Sequence, residues 1–318
     1  DFQANITRPF LKAIQQISIS KLTVSGLENL NQDDKYLFIS NHRDIVLDSA
    51  YLNLLLFENQ ISTSQIAIGD NLMKHRVSEI LFRINKSFVV KREGTPRELY
   101  AHSVELSKYI QKMISEKVDS VWIAQREGRA KDGNDRTQVS LLKMLTMSNR
   151  KDVVPFLKSL KIVPVSISYE FDPCDVLKAT EFIQKKNNAT YEKSFQKDLE
   201  SMVQGLVGKK GHLHLHFDKP LDEELDAINE VKNKKDQLEL LGNIIDRSIH
   251  QNFKLHPINY VAYDLQNASS TFLNDKYSKE DWEKYSQIFN NEKLSQTNLS
   301  DEDLKIAKDY LIGIYANP

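Results

Sequence analysis

A histidine followed six residues later by an aspartate, His42 and Asp48 in "SNHRDIVLD", comes just after the apolar run Tyr36, Leu37, Phe38 and Ile39. Imidazole is well suited to taking a proton from a hydroxyl near neutral pH, and a carboxylate behind it fixes the ring's tautomer and stabilises the imidazolium. Asp44 competes for that supporting position, though it is also a good N-cap for a helix beginning near Ile45. On a regular helix of about 3.6 residues per turn, positions six apart face different ways, so Asp48 reaches His42 only through an irregular turn.

A second stretch, "REGRAKDG", offers different chemistry. Gly128 and Gly133 permit tight turns, while Arg126, Arg129, Lys131 and Arg136 surround them with cationic donors, the composition of a loop that holds a phosphate. It is neither a Walker loop, since no Gly-Lys-Ser/Thr follows, nor a dinucleotide fingerprint. Over residues 74 to 97 and the adjoining Glu98, Lys74, Arg76, Arg83, Lys86, Lys91, Arg92 and Arg97 outnumber Glu79, Glu93 and Glu98. That local basic patch reads equally as a solvated face or as a surface for an anionic ligand, carrier or membrane. His212, His214 and His216 alternate and so share one strand face; with no second ligand cluster in the sequence, we read a solvent-facing or helix-covered face rather than a metal site. Cys174 has no neighbouring histidine in sequence and is not read as a nucleophile.

These residues need a frame, and the pattern around them alternates strand and helix. "KLTVSG", "KYLFIS", "SQIAIG", "SFVVKR", "DSVWIAQ", "KIVPVSISYE" and "GHLHLHFD" read as strands. Between them, "SAYLNLLLF" reads as a buried helix, "MKHRVSEILFRI" as an amphipathic one, and residues 96–116 as a helix opening on Pro96. Such alternation predicts an α/β fold with a mixed, largely parallel central sheet flanked by helices, with sites at the strand ends. From about residue 221 the chain turns helical and charged, ending in a helical C-terminal extension in which Ser278 and Ser300 are the expected N-caps.

At 318 residues, 40% hydrophobic and 27% charged, the chain has the composition of a soluble globular protein. A net charge of -1 provides no global field for nucleic acid, and a single cysteine excludes an internal disulfide framework and fits a reducing compartment. Apolar runs such as Leu54–Leu55–Leu56–Phe57 are far too short to cross a bilayer. The N-terminal stretch lacks the features of a secretory signal, and Phe10, Ile14 and Ile17 recur there at helical spacing. We expect a helix lying on the core in preference to one inserted in a membrane.

Taken in order, "NHRDIVLD", "SFVVKRE", "QREGRAKDG" and "IVPVSISYE" resemble the four blocks of the phospholipid and glycerol acyltransferase family, especially its bacterial glycerol-3-phosphate acyltransferase branch. "GHLHLHFDKPL" is similar to the strand that follows them in many members, so the resemblance spans about residues 22–220. Two departures stand out: five residues rather than four separate His42 from Asp48, and Glu127 lies one position nearer Arg129 than in that branch. The match of "SAYLN" to the family helix favours Asp48 over Asp44 as the partner of His42. The resemblance implies an acyltransferase that moves a fatty acyl group from a thioester to the hydroxyl of glycerol-3-phosphate or a lysophospholipid-type acceptor. His42 would be the base and Asp48 its partner, with Arg43, Lys91, Arg92, Glu127, Gly128, Arg129 and Lys131 binding substrate. It implies no resident cofactor or metal, an acyl-carrier protein or coenzyme A thioester as donor, and a cytoplasmic enzyme peripheral to the inner face of an anionic membrane. The implied organisation is an acyltransferase domain over 1–262, with packed helices at 221–262 and the extension at 263–318. Two alternatives remain: an O-acyltransferase for amino-acid lipids such as ornithine or glycine lipids, and a catalytically degenerate member that binds only lipid or carrier.

Overall fold

Leu37–Ser40 is buried on both faces, as befits a strand at the centre of a parallel sheet. In the computed structural model, which describes residues 3–70, 86–188, 190–191, 194–290, 292–295 and 297–317, it is the second of seven strands. These are β1 (Ile19–Ser25), β2 (Leu37–Ser40), β3 (Ser64–Gly69), β4 (Ser87–Val90), β5 (Ser120–Ala124), β6 (Ile162–Tyr169) and β7 (Gly211–Phe217). They form one sheet in the order β1-β7-β6-β2-β5-β3-β4. Only the β6–β7 pair is antiparallel; the other pairings are parallel, so the expected mixed, largely parallel sheet is present.

Side chains alternate across this sheet with the period of two that strands impose. Phe38, Trp122, Val163 and Val165 pack on one face with Leu47, Tyr51, Leu52 and Leu56 of the helix Leu47–Glu58. Leu37, Ile39, Val121, Ile123 and Ile162 pack on the other, against Ile110 and Ile114 of the helix Pro96–Ser115 and Leu241 and Ile245 of the helix Lys234–Gln251. Register places Ser40 beside both Ala124 and Val165. Because β2, β3, β4, β5 and β6 run the same way, the loops that leave their C-terminal ends gather at one edge, where three of the four sequence motifs have their polar residues.

Helix starts follow local chemistry. Thr95 and Glu98 form a capping box across Pro96, and Ser278 and Ser300 accept the amides of Asp281 and Asp303 as N-caps. Two helices not expected from the sequence, Asp175–Asn187 and Phe195–Val207, lie between β6 and β7. The first shares a third core with the C-terminal helices, uniting Ala179 and Ile183 with Ile258, Val261, Phe289, Leu311 and Tyr315. Position 262 falls inside a helix, Pro257–Gln266. At the other end Arg8–Ser18 is helical, with Ile14 buried but Phe10 and Ile17 exposed. The "MKHRVSEILFRI" helix and the cations Lys74, Arg76 and Arg83 lie outside the described residues.

Candidate active site

The loop leaving β2 is pinned before it turns. Asn41 holds β6 as a strand neighbour would, its Nδ2 donating to Ile167 O at 2.9 Å and its Oδ1 accepting the Ile167 amide at 2.8 Å. His42 is clamped through its backbone: its amide donates to Asp135 Oδ2 at 2.6 Å, and its carbonyl accepts the Ala130 amide at 3.0 Å. The second of these joins the two polar stretches of the sequence.

The helix begins only at Leu47, which resolves the awkward spacing. Asp44 Oδ1 accepts the amides of Val46 and Leu47 at 2.9 and 2.8 Å, folding residues 43–46 into a non-helical turn that swings His42 back over the first helical turn. There Asp48 Oδ2 meets His42 Nδ1 at 2.9 Å and also accepts the amides of Arg43 and Asp44 at 2.7 and 3.0 Å. Tyr169 OH donates to Oδ1 at 3.0 Å. Four donors and a helix N-terminus stabilise this carboxylate, whose side chain is 1% exposed. A carboxylate only accepts, so the proton sits on Nδ1 and Nε2 carries the lone pair.

His42 borders a cavity of about 240 Å³. Its lining includes the apolar side chains of Ile45, Val46, Ala50, Ile66, Ile68 and Trp122, the last edge-on to the imidazole at 6.0 Å. It also combines the cations Arg92, Arg126, Arg129 and Lys131 with the acidic Asp198 and with Gly128, whose φ of 70° is left-handed.

Burial pushes the Asp44 carboxyl up, as does the neighbouring Asp48 charge, against the pull of the two amides it caps. Its Oδ2 would lie 2.4 Å from a Cβ at Gly205, so only glycine lets the helix Phe195–Val207 approach here. For Arg129, burial works against the charge, but contact with Cys174 and the carboxylates of Asp44 and Asp172 outweighs it and raises the guanidinium further. Burial lowers the Lys131 ammonium despite its ion pair with Glu181. Burial also carries the Cys174 thiol up to about 11, leaving it a poor nucleophile at neutral pH.

The residues singled out in the sequence divide accordingly. His42, Arg92, Gly128, Arg129 and Lys131 line one cavity, with Asp48 directly behind His42. Glu127 is not among the lining residues; it is 64% exposed and paired with Arg92 at 2.9 Å. Arg43 points away instead: its Nη2 donates to Gly133 O at 3.1 Å and its guanidinium lies over the Phe253 ring, so it braces the loop. Lys91 borders a separate crevice with Phe88 and His102, because the strand exit turns it from the cavity. Lys86 pairs with Asp119. Asp135 and Tyr169 were not anticipated; each is a lone polar residue whose partner lies far off in sequence, and no local pattern announces it. His212, His214 and His216 form a ladder with Thr23 and Ser25 of β1.

Residues 21–168, which hold His42, Asp48 and the 126–135 loop, match the family model described as Acyltransferase. Among curated relatives, the glycerol-3-phosphate acyltransferase of Pseudomonas paraeruginosa is 24% identical over 266 residues, covering 79% of this chain and 31% of that protein. That of Ectopseudomonas mendocina is 22% identical over 271 residues, covering 80% of this chain and 31% of its own length. The chain therefore spans under a third of these relatives. A solved 1-acyl-sn-glycerophosphate (LPA) acyltransferase, PlsC from Thermotoga maritima, is 12% identical with a TM-score of 0.41 over 77% of each chain. Among the described residues, no helix is long and apolar enough to cross a membrane.

Proposed function

We propose that this chain transfers a fatty acyl group from a thioester to the hydroxyl of glycerol-3-phosphate or a lysophospholipid-type acceptor. The observation that carries this reading is the His42–Asp48 pair, with His42 lining a cavity whose other lining residues include both apolar side chains and four cations. His42 Nε2 takes the acceptor's hydroxyl proton as the oxygen attacks the thioester carbonyl, and Asp48 stabilises the imidazolium. Collapse of the tetrahedral intermediate expels the thiolate, which recovers the proton from His42. No acyl-enzyme is required. Arg129 holds the acceptor's anion, with Arg92, itself paired with Glu127, in support, and the cavity's apolar residues receive the acyl chain. Lys131, already paired with Glu181, contributes less than its place in the motif implies. The enzyme would work at an anionic membrane surface on its cytoplasmic side, and either acyl-carrier protein or coenzyme A would carry the donor.

The test is thioester release by the purified chain, with each donor, against glycerol-3-phosphate, lysophosphatidic acid, a lyso-ornithine lipid and water. Faster release with a phosphorylated acceptor, accompanied by an acylated product, is the expected result. Acylation of the ornithine lipid alone moves the assignment to amino-acid lipids. No release with any acceptor reduces the protein to a lipid- or carrier-binding member.

A further inference from the structure

The carboxylate behind His42 divides its hydrogen bonds unevenly. Oδ2 of Asp48 accepts from three donors, His42 Nδ1 and the amides of Arg43 and Asp44. Oδ1 accepts from one, the Tyr169 hydroxyl at 3.0 Å, and among the described residues it has no other hydrogen-bond partner. With the Asp48 side chain 1% exposed, bulk water is no substitute for that hydroxyl.

Tyr169 is the last residue of β6, and with Val163, Val165 and Ile167 it packs on the sheet face that carries the helix Leu47–Glu58. Two residues earlier, Ile167 is bonded through both its amide and its carbonyl to the Asn41 side chain. One anchor therefore fixes both the loop that carries His42 and the strand that carries Tyr169. Burial, and then the charges of Asp48 and Asp44, push the Tyr169 phenol well above its usual value, so it stays a donor across the working pH range.

We infer that Tyr169 is a positioning residue of the reaction: its hydroxyl holds the Asp48 carboxylate ionised, with Oδ2 turned to His42, and thereby sets the acid limit below which the base fails. The inference rests on the acyl-transfer reading above. Without that donor a buried carboxylate oxygen is left unmatched, and a proton is what relieves its charge. The proton settles on Asp48, which then no longer supports the imidazolium, or on His42, which then cannot take one from the acceptor. Coupled groups titrate as a pair, so both routes raise the same apparent pKa. Asp44, Tyr51, Asp135, Asp198 and the four cavity cations also face this group of three, and Tyr169→Phe alters none of their charges.

The experiment measures the pH dependence of kcat and kcat/KM for thioester-to-acceptor transfer in the full chain, in Tyr169→Phe and in Tyr51→Phe, which instead removes a buried hydroxyl bonded to Leu11 O at 3.2 Å. Tyr169→Phe should move the acid limb up by about one to two pH units and lower kcat on the plateau by about tenfold, with KM for both substrates unchanged. Tyr51→Phe should lower the melting temperature without moving that limb. In an Asp48→Asn background, Tyr169→Phe should change turnover little further, because the group it acts through is gone. An unshifted limb in a folded Tyr169→Phe protein overturns the inference and leaves the acyl-transfer reading standing. An equal shift in Tyr51→Phe also overturns it, by making both hydroxyls structural. A wild-type chain that transfers no acyl group to any acceptor sinks the reading and the inference together.

Discussion

His42 and His214 both extend from the central sheet and both have Nδ1 hydrogen-bonded, yet their surroundings prepare them for opposite behaviour. Behind His42 stands the Asp48 carboxylate, itself held by two amides and the Tyr169 hydroxyl, and in front lies the cavity. His214 instead spends both nitrogens on hydroxyls, Thr23 Oγ1 at 2.8 Å and Ser25 Oγ at 3.1 Å. Those same hydroxyls bridge to His212 at 2.7 Å and His216 at 2.8 Å, so three imidazoles and two hydroxyls form one continuous ladder. Among the described residues, no carboxylate hydrogen-bonds to these rings. Burial, with Lys254 and the neighbouring histidines, pushes His214 down to about 4. Burial likewise carries His256, whose ring is 5.2 Å from that of His212, down to about 4, although Glu170 pulls the other way. An imidazole becomes a usable base when a charge supports one nitrogen and open space faces the other. His214 has neither.

The largest expected way to break this contrast is at the supporting charge. Asp48→Asn turns an NH₂ toward His42 Nδ1 or leaves that nitrogen unsupported, favouring the tautomer with its proton on Nε2. We expect turnover to fall by roughly a hundred- to ten-thousand-fold with the fold retained. Near wild-type turnover in a folded Asp48→Asn protein would remove Asp48 from the mechanism. Next in size, Arg129→Ala should weaken use of a phosphorylated acceptor by about ten- to a hundredfold, read chiefly in its apparent KM. Unchanged acceptor kinetics would assign the loop to the donor or to the fold.

The ladder makes a prediction of a different kind, about stability. Unfolded histidines take up protons as the pH falls through about 6.5, whereas folded His214 and His256 stay neutral down to about 4. The folded state therefore binds fewer protons in that interval. The stability linked to these rings is complete above pH 6.5 and drains away on acidification toward 4. Lys254 and Lys21 add to the penalty for charging the ladder, while Glu170 offsets part of it. A hydroxyl oxygen can accept from an imidazolium on each side, but two charged imidazoles flanking one hydroxyl repel each other, as the neighbouring histidines' effect on His214 shows. Melting temperatures taken from pH 7 to 4 should decline, and His214→Gln should flatten that decline. Parallel curves for the two proteins would refute the ladder's part in it.

Smallest of all should be Asp44→Asn. Asparagine keeps a side-chain oxygen for the amides of Val46 and Leu47, so turnover should stay within about threefold and stability within about 1 kcal/mol of wild type. A loss matching that of Asp48→Asn would make Asp44 the functional carboxylate.

How far the sequence disclosed this site depends on the range of each interaction. The strands, the N-caps Ser278 and Ser300, and the cationic glycine turn are local patterns, and all were legible. The pairing of His42 with Asp48 needed an irregular turn whose cause, Asp44 acting as a cap, is local chemistry that the sequence presents but does not decide. Asp135, 93 positions from the amide it holds, was invisible, since only the register of β2 beside β5 brings the two loops together. Arg43 and Lys91 looked equivalent to their neighbours in the motifs, but backbone direction at the strand exits turns both from the cavity. The helices Asp175–Asn187 and Phe195–Val207 went unread, although the second supplies Asp198 to the cavity wall.

The central claim, that support and access make His42 the base while His214 is only structural, is tested most directly by measuring thioester-to-acceptor turnover in His42→Ala and His214→Ala proteins of verified fold. The account predicts a loss of about a hundred- to ten-thousand-fold in the first and turnover close to wild type in the second. A well-folded His42→Ala protein that keeps near wild-type turnover would contradict it.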